Sequence, residues 1–299
     1  MIRNLRAREV VSVGIVAVYV IVAIAAPWIA PHDPNGSALL SRLAPPWSHR
    51  GGEFFILGTD PLGRDILSRV LYGARISLAV AVCTVIVSGI IGVILGVLAG
   101  WVRGLVSVVI LRLADIVMSV PFFLLAILVI AVRGPGLANV VLCLAITRWP
   151  RYTRMTYGTV LETRERGFVR GAFAVGATSR WIVLRHVVPE VVPLTIVIAT
   201  LEIGLMVMLE ASLSFIGLGV QPPTASWGSM LSDGREYVAS AWWLATIPGL
   251  ALFGLILAVN LLGDAVRVRL DPTHKVPRDR GLRRRSKAAA LQQKESTDA

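Results

Sequence analysis

Six stretches of the chain are apolar over most or all of the length needed to cross a bilayer, and polar or charged segments separate them. They cover residues 10–30, 76–101, 106–132, 137–151, 191–215 and 241–262. A helical crossing needs about 20 predominantly apolar residues, so the fourth stretch is the shortest candidate. The pattern predicts an all-α membrane protein with six transmembrane helices. Residues 1–9 form a short N-terminal segment, 31–75 a loop with a pre-membrane helix, 76–272 the membrane core, and 273–299 a basic tail expected to be disordered. Arg3, Arg6 and Arg8 ahead of the first apolar run also fit a secretory signal. The run is long for a signal and further spans follow, so an uncleaved anchor is expected.

Within the apolar stretches, a few residues break the pattern informatively. Pro121 should kink the third span or end a half-turn. Gly89, Gly92, Gly96 and Gly100 place small residues about one turn apart on the second span. In lipid such spacing lets two helix backbones approach closely, although glycine is also generally commoner in spanning helices. The loop 31–75 is rich in Pro and Gly, and Asp65–Ser77 reads as a helix entering the membrane.

Charge then sets the orientation. The chain carries a formal net charge of +12, with Arg far outnumbering Lys. A basic balance often points to nucleic acid, but here the cations flank apolar spans, and no nucleic-acid partner is expected. With the N-terminus inside, 23 of the 30 Lys and Arg fall in cytoplasmic segments. The positive-inside rule therefore places both termini in the cytoplasm. Cys83 and Cys143 lie in apolar stretches and read as reduced core thiols. The four histidines show no ligand spacing, and no metal site is expected.

No catalytic signature is present: there is no phosphate-binding Gly-rich loop with Lys-Ser or Lys-Thr, no His-Glu-x-x-His and no Gly-x-Ser-x-Gly. The chain is not expected to be an enzyme, and any energy source lies on another chain or in an ion gradient. Attention falls on the charged inside loop 152–190. Phe168, Ala172 and Val175 recur at helical spacing among Arg164, Arg166 and Arg170; Gly176 allows a tight stop, and Thr178 or Ser179 can cap a second short helix carrying Ile182 and His186. Two short helices broken at a glycine make a knuckle whose apolar side needs either a partner groove or an anionic lipid surface.

The run Phe168-Val169-Arg170-Gly171-Ala172-Phe173-Ala174-Val175-Gly176-Ala177, continuing through Ile182 and Arg185-His186-Val187-Val188-Pro189, resembles the coupling loop of ABC importer permeases. Three other stretches resemble the dipeptide, oligopeptide and nickel permeases. The first is Leu57-Gly58-Thr59-Asp60-Pro61-Leu62-Gly63-Arg64-Asp65. The second runs from Glu210 to Gly219 through Gly217, followed by Gln221-Pro222-Pro223. The third is Asn260-Leu261-Leu262-Gly263-Asp264 with Asp271-Pro272. The resemblance, to the C-type second permease subunit, covers roughly Leu57 to Pro272 in order. It implies a type I ABC importer permease fold and a location in the bacterial cytoplasmic (inner) membrane. It further implies a pore shared with a second permease, two ATP-binding subunits docked on coupling loops, and an extracytoplasmic substrate-binding protein. ATP and Mg would sit on the partner ATPases, with no cofactor on this chain. The implied substrates are di- or oligopeptides, with nickel or a metal chelate as the alternative. From other classes, a gradient-driven carrier and a scaffold remain as rivals; no inverted repeat of the carrier type is visible.

Two features test this resemblance. The family has Glu-Ala-Ala where this chain has Arg170, Gly171 and Ala172, so a carboxylate has become a guanidinium. Either the ATPase carries a compensating acid or that contact is dispensable. Second, ionisable groups lie inside spans: Arg112 and Asp115 three apart on the third, and Glu202 and Glu210 on the fifth. Each charge at span centre costs about 2.5–3.5 kcal/mol on insertion scales, so they should face protein or water. Glu202 and Glu210 are the candidate path residues. For Glu202 a packing role stands equally open; for Glu210 it is the stronger reading.

Overall fold

A computed structural model describes residues 2–270. The predicted tail 273–299 and the Asp271-Pro272 motif lie outside the described residues. Among the described residues, the regular structure is helical apart from a small antiparallel hairpin, β1 (Ser48–Arg50) with β2 (Glu53–Phe55), in the long loop after α1 (Ile2–Ile29). Among the described residues, four helices are long and apolar enough to span a membrane: the Val10–Ile29 part of α1, α2 (Ile66–Val102), the Ser179–Phe215 region and α10 (Trp243–Leu270). A fifth arises if α3 (Gly104–Ser119) and α4 (Phe122–Arg133) count as one span; they meet at 94° beside Pro121. Proline lacks an amide hydrogen and disfavours helical geometry in the residue before it, and Val120 is accordingly extended.

The second helix starts ten residues earlier than the apolar run. Asp65 caps it by accepting from the Ser68 amide at 2.9 Å, so the pre-membrane helix and the span are one rod, α2. The fourth apolar run likewise continues, as α5 (Leu137–Glu165), through residues assigned above to the inside loop. Pro150 does not stop it, and its later half is held to α2 by a glycine seam. A Cβ on Gly92 would lie 2.7 Å from the Trp149 carbonyl and against Tyr152; on Gly96, 2.7 Å from the Thr153 carbonyl; on Gly100, 2.7 Å from Val160. The partners advance together along both sequences, so α2 and α5 run parallel and nearly backbone to backbone.

The main core lies where α2 meets α1, α5, α8 (Val188–Phe215), α9 (Trp227–Gly234) and α10, around Ile66, Val80, Leu144, Met206, Leu213, Trp227 and Leu255. Trp227 donates its indole N–H to the Val70 carbonyl at 3.0 Å. Tyr19 of α1 reaches the Ala251 carbonyl of α10 at 3.0 Å, which joins the first helix to the last. Cys143 is buried, but Cys83 is exposed on α2, so only one of the two thiols is a core thiol.

Candidate functional site

The knuckle between α5 and α8 is built from α6 (Gly167–Ala174), α7 (Ser179–Ile182) and a π-turn, Val183–Val187. Gly176, at φ +85°, ends α6: its amide bonds the Phe173 carbonyl and the Ala177 amide the Ala172 carbonyl, both at 3.0 Å. That pairing satisfies the last free carbonyls of the helix, and only glycine takes the required φ without strain. Thr178 caps α7 through the Trp181 amide. His186 lies between the rings of Phe168 (5.4 Å) and Trp181 (5.2 Å) and so ties the two short helices together. Val169 and Ile182 face inward. Phe168, Phe173, Val175, Trp181 and Leu184 stay exposed, as do Arg170, Gly171 and Arg185. Pro189 opens α8, where its missing N–H is no loss.

Two latches fix this knuckle to the end of α2. Phe173 stacks on Trp101 at 5.9 Å, while Arg164 lies 5.4 Å from the centre of the Trp101 ring and donates to the Trp101 carbonyl at 2.6 Å. Glu165 accepts from Arg170 at 2.6 Å and from Arg103 at 2.8 Å. Arg166 bridges Glu162 (2.9 Å) and Glu190 (3.0 Å), which closes the base of the knuckle. The unexpected Arg170 therefore has an acid within its own chain.

Hydrogen bonds from Arg170 first, then Arg103, hold the Glu165 carboxyl below the usual carboxylate range. With its carboxylate pKa depressed, the latch is fully charged above the ordinary carboxylate value and is lost only as pH falls through the lowered one. At neutral pH it stays closed. The pair is exposed, so it contributes orientation rather than much stability. Arg170→Glu sets two carboxylates against each other. It is expected to lower the stimulated ATPase rate of the assembled importer about two- to fivefold while leaving its thermal midpoint nearly unchanged; a wild-type rate would show that the latch is idle.

The second polar feature lies halfway along two long helices. Glu202 of α8, only 2% exposed, accepts from Arg151 of α5 at 2.7 Å; its other oxygen is 4.0 Å from Arg148 Nε. Among the described residues, Glu202 Oε2, Arg148 Nε and the buried Tyr152 hydroxyl have no hydrogen-bond partner. One turn on, Arg154 pairs with Asp115 of α3, and Arg112 stands 4.0 Å from the same carboxylate. Glu210 is different: fully buried, it accepts from Ser77 and Ser214, one hydroxyl on each oxygen at 2.8 Å. Its acceptors are occupied by α2 and by its own helix.

Most of the remaining predicted residues lie in turns. Gly58 (φ +80°) and Gly63 (φ +77°) flank Asp60, which binds Arg64, and Asp65 caps α2. Gly217 (φ +79°) ends α8 and Gly219 packs against Ser214. Pro222 is exposed in the following turn, and Asp264 is exposed on α10.

The model of the family described as "Binding-protein-dependent transport system inner membrane component" matches residues 92–275, across the glycine seam, both latches and the knuckle. The chain belongs to that family. A second family model, described as the N-terminal TM domain of oligopeptide transport permease C, matches residues 9–46. The chain is 42% identical over 254 residues to the di/tripeptide transport system permease protein DppC of Pseudomonas aeruginosa (strain UCBPP-PA14), covering 85% of this chain and 84% of that protein. It is also 42% identical to the glutathione transport system permease protein GsiD of Escherichia coli O6:K15:H31 (strain 536 / UPEC), covering 87% and 84%. In fold it is similar to an inward-facing MetNI methionine ABC transporter, with a TM-score of 0.56 at 21% identity, over 69% of this chain and 98% of that one.

Family membership makes the chain a multi-pass inner-membrane permease component without catalysis of its own, working with an ATPase, a binding protein and a paired permease. The carrier and scaffold rivals fall with it. The sequence reading missed Trp101, Arg103 and Glu165, which join the knuckle only through the fold. It also missed Arg148, Arg151 and Arg154 as a set. Their spacing of three along a helix was the available signal, obscured because the span was ended at Arg151.

Proposed function

We propose that this chain is the C-type permease of an ATP-driven importer of di- or oligopeptides. It crosses the membrane six times with both termini cytoplasmic, and pairs with a different permease. Two ATP-binding subunits, which carry the ATP and Mg, dock on the 164–189 knuckles, and an extracytoplasmic binding protein delivers substrate. The observation that carries this reading is the knuckle itself: a stiff pair of short helices with exposed Phe168, Phe173, Val175 and Trp181, latched to α2 and α5. Exposed apolar groups rimmed by charge mark a contact surface. Motion imposed there passes to α2 and α5 through Trp101 and Glu165, and rigid-body movement of those helices alternates access to the pore.

The peptide substrate is supported by the relatives named for di/tripeptide and glutathione transport. Six crossings are supported by the parallel run of α2 beside α5, because two parallel neighbours in a bilayer need a return crossing between them. The bent α3–α4 pair supplies it. Glu202 belongs to the translocation path; Glu210, enclosed by two hydroxyls, is a packing strut between α2 and α8. The test is uptake of a labelled dipeptide by proteoliposomes holding the complete importer. ATP- and binding-protein-dependent uptake is expected, with Glu202→Gln lowering it about tenfold or more. Absence of peptide uptake by the wild-type assembly overturns the substrate reading; Glu202→Gln uptake unchanged in rate and selectivity removes Glu202 from the path.

A further inference from the structure

We propose that Arg148, Arg151 and Arg154 form a transit site for the carboxylate of the translocating peptide, and that Glu202 is the internal carboxylate that occupies it between passages. The proposal rests on the importer reading above.

Residues three apart on a helix fall on adjoining parts of one face, so the three arginines form a short ladder along α5. Arg151 is the midpoint of α5, about 21 Å along the axis from either end, and Glu202 is at the middle of α8. The ladder thus lies well inside a helix packed along the apolar α2, where a bilayer tolerates charge poorly. Charges there must face protein or an aqueous path. Arg151 and Arg154 are half exposed, whereas Glu202, which engages Arg151, is buried.

The arrangement also carries unmatched charge. Among the described residues, Arg112, Arg148, Arg151 and Arg154 face two carboxylates, Glu202 and Asp115, so two positive charges are left over. Glu202 satisfies Arg151 through one oxygen alone; its second oxygen and Arg148 Nε stand 4.0 Å apart without a hydrogen bond to each other or to any described residue. A carboxylate that reaches both guanidinium groups completes what Glu202 leaves incomplete. Guanidinium forks take carboxylates in two-point geometry, and a peptide passing between the helices brings one carboxylate at its C-terminus. Glu202 is fixed on α8 and stays beside the ladder, so the incoming carboxylate offsets one of the two surplus positive charges, and competition from Glu202 for Arg151 keeps the hold on the peptide weak. The site is therefore selective for an anionic end without becoming a trap.

Thiol chemistry tests this in the complete importer in proteoliposomes, after wild-type peptide uptake has been measured as a separate check on the importer reading. In a Cys83→Ala, Cys143→Ala background, Arg151→Cys is treated with the anionic sulfonatoethyl and the cationic trimethylammonioethyl methanethiosulfonates. The remaining guanidinium groups are expected to raise the anionic-to-cationic rate ratio about tenfold over that of a free thiol in the same buffer. Millimolar N-acetyl dialanine, with its free carboxylate, is expected to slow modification about threefold, and its C-terminal amide is expected to have no effect. Arg154→Cys gives the same readings should Arg151→Cys fail to assemble. An unreactive thiol, a ratio equal to that of the free thiol, or equal protection by acid and amide overturns the proposal while leaving measured wild-type uptake, and with it the importer reading, standing.

Discussion

Gly92→Val combined with Gly96→Val should abolish recovery of the assembled importer. The reason lies in what each new side chain meets. At Gly92 the Cβ alone would stand 2.7 Å from the Trp149 carbonyl; at Gly96 it would stand 2.7 Å from the Thr153 carbonyl and 2.5 Å from Thr156 Cβ. Real Cβ atoms do not approach that closely, and two of the obstacles are backbone, which cannot rotate aside. Overpacking costs about 1–3 kcal/mol per site in well-packed proteins. Two adjacent sites here push the same helix off α2, so their effects are coupled and both must be accommodated by moving backbone. A net stability of about 5–15 kcal/mol leaves little margin for that. Gly89→Ala is the control, because its Cβ finds only the Tyr152 ring, at 3.7 Å and beyond. It should fall within about 0.5 kcal/mol of wild type. Size-exclusion profiles of the purified complex and its thermal midpoint separate the outcomes. Recovery of the double variant at wild-type yield would mean that α2 and α5 do not pack on this seam.

The contrast between Gly89 and its neighbours shows what a sequence does and does not disclose here. The spacing of the four glycines was visible, and so was the idea of a packed face. The partner was not visible, because α5 carries Arg148, Arg151 and Arg154 and looks too polar to lie beside the apolar α2. The charges are accommodated by long-range pairing with Glu202 and Asp115, which no local pattern reveals. The same reason explains the misplaced start of the inside loop. A hydropathy reading ends the fourth span at Arg151, whereas the helix runs on to Glu165 because Tyr152, Thr153, Thr156 and Val160 are buried on the glycine seam. The knuckle was more legible. Its stop depends on Gly176 and its restart on Thr178, both local effects. What remained hidden was the attachment of the knuckle: Trp101 and Phe173 are 72 positions apart, and Arg103 and Glu165 are 62 apart. The substitution of Arg170 for the usual acid looked like a loss of a partner contact. The fold gives it a different meaning, since Glu165, at the end of the preceding helix, supplies an acid on the same chain.

Asp60→Ala should destabilise the assembled importer by about 3–5 kcal/mol, the range found when one partner of a buried ion pair is removed. Asp60 organises the turn between the long loop and α2. One carboxylate oxygen accepts from the Leu62 and Arg64 amides at 2.8 and 2.9 Å, and the other from Arg64 Nε at 2.5 Å, with Arg69 at 3.8 Å. Both arginines are almost fully buried. Without Asp60 they retain only Asp233, which is half exposed and 3.7 Å from Arg64, and the Pro34 carbonyl, 3.2 Å from Arg69. Two amides also lose their acceptor. Asp60→Asn keeps an oxygen for those amides but not the charge, so its loss should fall between Asp60→Ala and wild type. Asp65→Ala, which removes the helix cap together with the contacts to the Ser68 hydroxyl at 2.6 Å and to His32 at 3.5 Å, should cost about 1–2 kcal/mol. The ranking matters more than any single value. It follows from Asp60 neutralising two buried cations, whereas Asp65 mainly serves the start of one helix. Thermal unfolding of the three variants in the same detergent gives the order, and peptide uptake by whatever assembles should keep wild-type selectivity, since none of these groups touches the charged ladder on α5. An Asp60→Ala protein as stable as wild type, or one that assembles normally but changes its choice of peptide, would move Asp60 from the scaffold of the turn to the path of the substrate.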